Sequence, residues 1–206
     1  MSSDVLSELR ERIVGGYYPP GVSLSEKQLA EDFSVSRTPI REALVRLESE
    51  QLVASTVGRG FYTKEASIQE CREVTIIRLH LLSLVGQLAT AHATPETIDQ
   101  FRELLADMQD EDDLQRLKGH DVRFHRLVNK AAHNRALAEL DRRLANQFAR
   151  IRNSLDPRLD DTHFIELKAD LPVFIASLEA RDPERCTEVL TEHLHRFVRQ
   201  IFCLTC

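Results

Sequence analysis

Long apolar runs are what this 206-residue chain lacks first. None approaches the ~18 or more residues that a membrane-crossing helix needs. The opening segment, MSSDVLSELRERIV, is acidic and amphipathic, with no basic flank ahead of an apolar stretch, so it does not read as a secretory signal. Cysteine is scarce: Cys71, Cys186, Cys203 and Cys206 are the four. Without a sign of export, a disulfide framework is not expected, and reduced thiols in a cytoplasm are. Cys203 and Cys206 spell CxxC, but no second cysteine pair stands near enough to close a four-ligand zinc site. The pair is read as a packed or frayed terminus. Internal repeats and low-complexity segments are absent too.

Positive charge is in deficit: 27 Lys and Arg face 33 Asp and Glu, a net of −6. That argues against a protein that coats nucleic acid without specificity. It leaves DNA binding open, because affinity depends on where basic groups stand and not on their total. Residues 1–66 carry eight Lys/Arg against ten Asp/Glu, a local net of −2. If this part binds DNA, its bases must be segregated onto one face. What is present is 42% hydrophobic and 29% charged, enough for a sizeable core in a soluble chain of one or two domains.

Val5, Leu6, Leu9, Ile13 and Val14 recur at helical spacing, and Gly15-Gly16 ends that helix. The prolines of YYPPG, Tyr17 to Gly21, force an extended turn. Ser25 is a good N-cap, with Gln28 three residues on, for a second helix whose stripe is Leu29, Ala30 and Phe33. Ser34-Val35-Ser36 is a break. Ser36 or Thr38 caps a third helix, with Pro39 in its first turn and Ile40, Ala43, Leu44 and Leu47 facing inward. After Leu52 the texture becomes alternating and β-branched around Gly58-Arg59-Gly60, which predicts two short strands and a tight turn. Three helices and a hairpin make a winged helix-turn-helix. From Ile68 onward nothing reads as strand. Helices are expected over about 68–91, 95–109, 112–132, 134–154, 161–180 and 183–204, with breaks at Thr94-Pro95, His133-Asn134, Asn153 to Thr162 and Asp182-Pro183. The fold class is mainly α, an N-terminal winged helix-turn-helix (1–66) plus a C-terminal all-α antiparallel bundle (67–206).

Arg37 and Arg41 are four apart and share a helix face opposite the Ile40 and Leu44 stripe. A guanidinium fork fits guanine or phosphate in two-pronged fashion, and two of them just past a helix-turn-helix break are placed to enter a major groove. The blander reading is a pair of solvated charges with Glu48 and Glu50 nearby as partners. Arg59, at a glycine turn where backbone can approach DNA closely, tips the reading towards DNA.

The stretch LSEKQLAEDFSVSRTPIREALVRLESEQLV followed by GRGFYT resembles the N-terminal domain of the GntR superfamily of bacterial transcription regulators, across roughly Val5 to Thr63. Gln51 stands where that pattern has glycine. The resemblance implies DNA contacts by Lys27, Arg37, Thr38, Arg41, Gly58, Arg59 and Gly60, a homodimer, and an inverted-repeat operator in double-stranded DNA.

In the helical half, Asp121 and His125 lie at i and i+4, a carboxylate and an imidazole on one face, which suits a shared metal. His193 stands near the end in TEHLHRF. Taken singly, each is more often an ordinary core or surface group. Together with Phe124, Asn134, Asp182 and Arg78 they resemble the all-helical effector domain of the FadR subfamily, over about Ile68 to Phe197. That likeness implies a cavity for a small carboxylate effector, with Arg78, Asp121, His125 and His193 as binding residues. Metal-containing members use one Asp and three His. Asp121, His125 and His193 match three of these. Leu171 occupies the fourth position, and Leu82 replaces a usual glutamate. His195 is two residues from His193 and points to the opposite side of its helix. Two readings stay open: a three-ligand site for Zn²⁺ or Ni²⁺ completed by water or effector, or a metal-free pocket where Arg78 and the histidines hold an acid directly. The expected function is a ligand-responsive, cytoplasmic, non-enzymatic transcription regulator, a repressor by preference. The competing reading is a helical metalloenzyme with a winged protein-interaction module.

Overall fold

A computed structural model of the protein describes residues 2–155 and 162–203. The expected helix start at 161, part of the Asn153 to Thr162 break, and Cys206 of the CxxC pair lie outside the described residues. Among those described are α1 (Ser2–Val14), α2 (Glu26–Asp32), α3 (Arg37–Ser49), β1 (Val53–Thr56), β2 (Gly60–Thr63), α4 (Ile68–His92), α5 (Pro95–Met108), α6 (Leu114–Ala131), α7 (Arg135–Leu155), α8 (Thr162–Glu179) and α9 (Pro183–Cys203). Contacts divide the chain into two compact units. One holds Met1–Val74 with the stretch from Arg143, and the other holds Thr75–Arg142 with the C-terminal helices. The first unit thus takes in the second half of α7, which periodicity alone groups with the helical half.

In the first unit α1 and α2 both pack on α3. Leu9, Ile40, Leu44, Leu47 and Leu52 are fully buried at its centre. Gly16 at φ +80° closes α1, with Tyr17 N donating to Arg12 O at 2.8 Å. That is the left-handed stop glycine allows most cheaply. Ser25 Oγ accepts from Gln28 N at 3.4 Å and caps α2. Ser34, at φ +54°, makes the turn into α3, and Val35 N donates back to Ala30 O. Ser36 is the N-cap of α3, though its side chain makes no capping bond, and Thr38 lies inside the helix. Strand β2 pairs antiparallel with β1, Val53 opposite Thr63 and Thr56 opposite Gly60. On its other side Ser23 bridges to Tyr62, and Leu24 N donates to Phe61 O. Glu50 is buried, and its carboxylate accepts from Arg10 Nε at 2.8 Å and Nη2 at 2.9 Å. It is therefore not the surface partner of Arg37 and Arg41 that its place in sequence allows. Buried Arg150 of α7 donates to the carbonyls of Lys64 and Glu65 and to Glu70.

In the second unit α5, α6 and α8 pack on one another and α9 packs on α8. Phe101, Phe124 and Phe174 meet edge-to-face, centroids 5.1, 5.2 and 6.1 Å apart. Three of the four expected breaks become caps. Thr94 Oγ1, Asn134 Oδ1 and Asp182 Oδ1 each accept an amide of the first turn that follows. Arg181 donates to Thr90 O and Ala93 O, satisfying carbonyls at the end of α4. Exposed Pro172 sits inside α8, which continues past it because Leu167, Leu171, Phe174 and Leu178 are all fully buried. One expectation needs correction. Helix α4 has, by length and composition, the apolarity to cross a membrane, although only 44% of its most apolar window is buried. Counting uninterrupted apolar residues overlooked it, because Thr75 and Arg78 interrupt the run while both are buried in the protein.

Candidate functional site

Helix α3 is amphipathic. Its buried side carries Ile40, Ala43, Leu44 and Leu47, and its outer side presents Arg37, Thr38 and Arg41 to solvent. Arg41 is 72% exposed, with Glu26 Oε1 3.9 Å from its Nε. Lys27 is similarly exposed, 3.9 Å from Glu31. Between α2 and α3 lies an open hollow of about 660 Å³, lined by Lys27, Ser34, Ser36, Arg37 and Pro39 among others. The turn, the hollow and the two arginines thus occupy one side of the motif. Gly58 and Gly60 both take positive φ at the hairpin tip, where a side chain would meet nothing within 4 Å. Arg59 departs from a simple outward reach. Its guanidinium lies 4.2 Å over the Tyr62 ring and donates to Gly21 O at 3.1 Å.

The second unit brings Asp121, His125 and His193 together, with ligand atoms of the three within 4.8 Å of one another. One turn of α6 separates Asp121 from His125, whose Nε2 is 3.8 Å from Asp121 Oδ1. His193 of α9 is buried and held from both sides. Its Nε2 lies 3.1 Å from Asp121 Oδ1 and its Nδ1 3.3 Å from Asp170 Oδ2. Burial alone would push its pKa down, but the hydrogen bonds to Asp121 and Asp170 prevail and raise it to about 9. His125 moves the other way. Burial lowers its pKa, against the attraction of Asp121 and with the repulsion of Arg78 and His193. Asp170 also bonds Arg196, and its carboxyl is held below its usual range because the His193 and Arg196 hydrogen bonds outweigh burial.

Asp170 is the residue that sequence reasoning missed. It stands one position before Leu171, which is fully buried where a fourth imidazole was sought. Its signal was a carboxylate on the same stripe of α8 as Leu167 and Phe174, at i+3 and i−4 from them. His195 is exposed, as its phase predicts. Arg78 is buried and already has a charged neighbour, since its Nε lies 3.7 Å from Asp141 Oδ1. Asn129 Nδ2 donates to the other oxygen of Asp141 at 2.7 Å.

The donor set suits a divalent cation. Zinc–ligand distances of about 2.0–2.2 Å require ligand atoms within roughly 4 Å of one another, which small shifts here would achieve. His125 Nδ1 is a buried atom with no hydrogen-bond partner. The Asp170 carboxylate on the far nitrogen of His193 orients the ring as outer partners of metal-binding histidines do.

Comparison with known proteins agrees with both halves. Residues 1–63 match the family described as bacterial regulatory proteins, gntR family, and residues 73–196 match the FCD domain. The HTH-type transcriptional regulator McbR of Escherichia coli K12 is 25% identical over 209 residues, covering 98% of this chain and 93% of its own. The HTH-type transcriptional repressor RspR of the same strain is 28% identical over 199 residues, covering 94% and 86%. The solved structure of E. coli McbR/YncC superposes with a TM-score of 0.84 at 23% identity, over 100% of this chain and 98% of that one, which speaks for the fold.

Proposed function

The chain belongs to the FCD-bearing gntR family of bacterial transcription regulators, and we propose that it is a dimeric repressor which reads an inverted-repeat operator and releases it on binding an effector. Members of the family bind double-stranded DNA. The carrying observation is the outer side of α3, with Arg37, Thr38 and Arg41 exposed directly after the left-handed turn at Ser34 and a fully buried Ile40 and Leu44 behind them. That geometry suits a helix lying in a major groove. Lys27 and the hollow beside Arg37 would take phosphate, and Gly58, Arg59 and Gly60 would approach the backbone from the wing.

The division of labour falls at 66/67, DNA binding before it and effector binding after it. Exposed Ile76, Ile77 and Leu84 on α4 offer the apolar surface for a second copy. The effector, a small carboxylate, binds at the polar cluster of the helical half, with Arg78, Asp121, His125 and His193 in contact. A divalent cation, Zn²⁺ or Ni²⁺, would be held by Asp121, His125 and His193, leaving a position for water or effector because Leu171 provides no ligand. Bound there, it would polarise the effector's oxygen. Asp170 would fix the His193 ring. The protein works in the cytoplasm, where reduced thiols and DNA are found.

A gel-shift with the promoter region nearest its own gene tests the reading. Retardation of that fragment, lost with Arg37→Ala and Arg41→Ala together, is expected. Equal retardation by the double variant would refute the recognition-helix assignment.

A further inference from the structure

We propose that the effector bears an ammonium group next to its carboxylate, an α-amino acid, and that Asp141 and Asn129 receive the ammonium. This rests on the effector-binding reading above and narrows it.

Asp121, His125 and Asn129 stand at i, i+4 and i+8, so they line one face of α6. At one end of that line is His193. At the other, Asn129 meets Asp141 of α7, and Asp141 meets Arg78 of α4. Asp141 and Arg78 are buried, 1% and 4% exposed.

Two features of this end of the line need an explanation. First, Asp141 Oδ1 and Asn129 Oδ1 are buried acceptors with no hydrogen-bond donor, and the Arg78 Nε at 3.7 Å is beyond bonding range of Asp141. Unsatisfied buried acceptors are costly, and native proteins keep them where something else supplies the donor. Second, the charge on Arg78 is already matched. A plain carboxylate drawn to Arg78 would leave the Asp141 anion buried without compensation. A zwitterion avoids this. Its carboxylate goes to Arg78, and its ammonium goes to Asp141. Three N–H donors on the ammonium suit the two waiting oxygens, Asp141 Oδ1 and Asn129 Oδ1. A hydroxyl in the same place offers one donor and no charge, so a hydroxy acid fits less well.

The test is calorimetry and thermal shift on the full chain with matched series: alanine, lactate and propionate; leucine, 2-hydroxy-4-methylpentanoate and 4-methylpentanoate; aspartate, malate and succinate. In at least one series the amino acid is expected to bind about tenfold or more tighter than both analogues, since a site built to hydrogen-bond a group rejects ligands lacking it. Asp141→Asn should erase that preference. Asn129→Ala, which leaves the Arg78–Asp141 pair in place, should reduce it, and serves if Asp141→Asn does not fold. The inference is overturned if the plain acid of every series binds as tightly as its amino acid, if both variants keep the preference, or if none of these compounds binds. Operator binding is measured separately by gel-shift. Release of operator by a plain acid alone would leave the regulator reading standing while removing the ammonium. Failure to bind operator at all would remove the regulator reading instead.

Discussion

Arg41 and Gln51 show how differently two residues of one motif carry consequence. Arg41 projects from α3 with 72% of its side chain in water, so truncation touches no core contact. Arg41→Ala should shift stability by less than about 0.5 kcal/mol. It should also weaken operator binding by about 1–3 kcal/mol per half-site, read by titration of a labelled fragment. Unchanged affinity would assign Arg41 to the solvated surface. Gln51 holds φ +63° just past α3, while Leu52 N bonds Leu47 O behind it. The position calls for glycine, and a side chain there is strained whatever its chemistry. Gln51→Gly should therefore raise stability by about 0.5–1 kcal/mol in denaturant titration, despite losing the bond from Lys64 Nζ to the Gln51 amide. A loss of stability would mean that this bond outweighs the backbone strain.

Among the elements, the approach of α9 to α4 turns on Gly86. A methyl placed there would stand 3.2 Å from both N and Cα of Thr187 and 3.0 Å from its Oγ1. Two of those atoms are backbone, so the neighbour can yield only if the helix moves. Gly86→Ala should cost about 1–3 kcal/mol through overpacking, although alanine favours helix in isolation. A stabilised variant would show that α9 shifts freely. Gly86 lies inside a helix where pattern reading treats glycine as a mild defect, and only the crossing of a partner helix gives it a task. Pro172 is the converse, a residue that breaks helices by local rules yet lies within α8, because burial on either side of it outweighs one lost amide bond.

For the molecule as a whole, a net charge of −6 leaves DNA binding to a small basic face, so affinity should fall steeply with salt. Each phosphate neutralised adds about 0.9 to the slope of log affinity against log salt. Lys27→Ala should lower that slope by roughly one for each protomer engaged, with little change in sequence preference. A flat response in the parent protein would contradict phosphate recognition. The proposed cation site makes a second prediction at this scale. The bundle has its own apolar core around Phe101, Phe124 and Phe174, so a chelator should strip the cation without unfolding the chain, as followed by circular dichroism. Asp170→Asn, which keeps all three proposed ligands but weakens the partner of His193 Nδ1, should lower cation affinity by about 10–100-fold as measured by metal titration. Affinity equal to the parent protein's would make Asp170 a structural partner of Arg196 only.

Much of this protein was determined by local sequence. Helical phase placed Ile40 and Leu44 inward and Arg37 and Arg41 outward, and stop and cap residues such as Gly16, Thr94 and Asp182 marked ends that the backbone respects, because hydrogen bonds within a turn depend only on neighbours. The i and i+4 spacing likewise put Asp121 beside His125. Position 193 was legible through resemblance, since α9 is remote from α6 in sequence. What tertiary structure decided is everything that depends on which helix faces which. Asp170 reaches His193 from α8, Asp141 already faces Arg78, Glu50 is buried on Arg10, and Arg59 reaches the Gly21 carbonyl. None of these pairs shares a helical turn, and a charge in a sequence does not state whether its partner will be water or a residue tens of positions away.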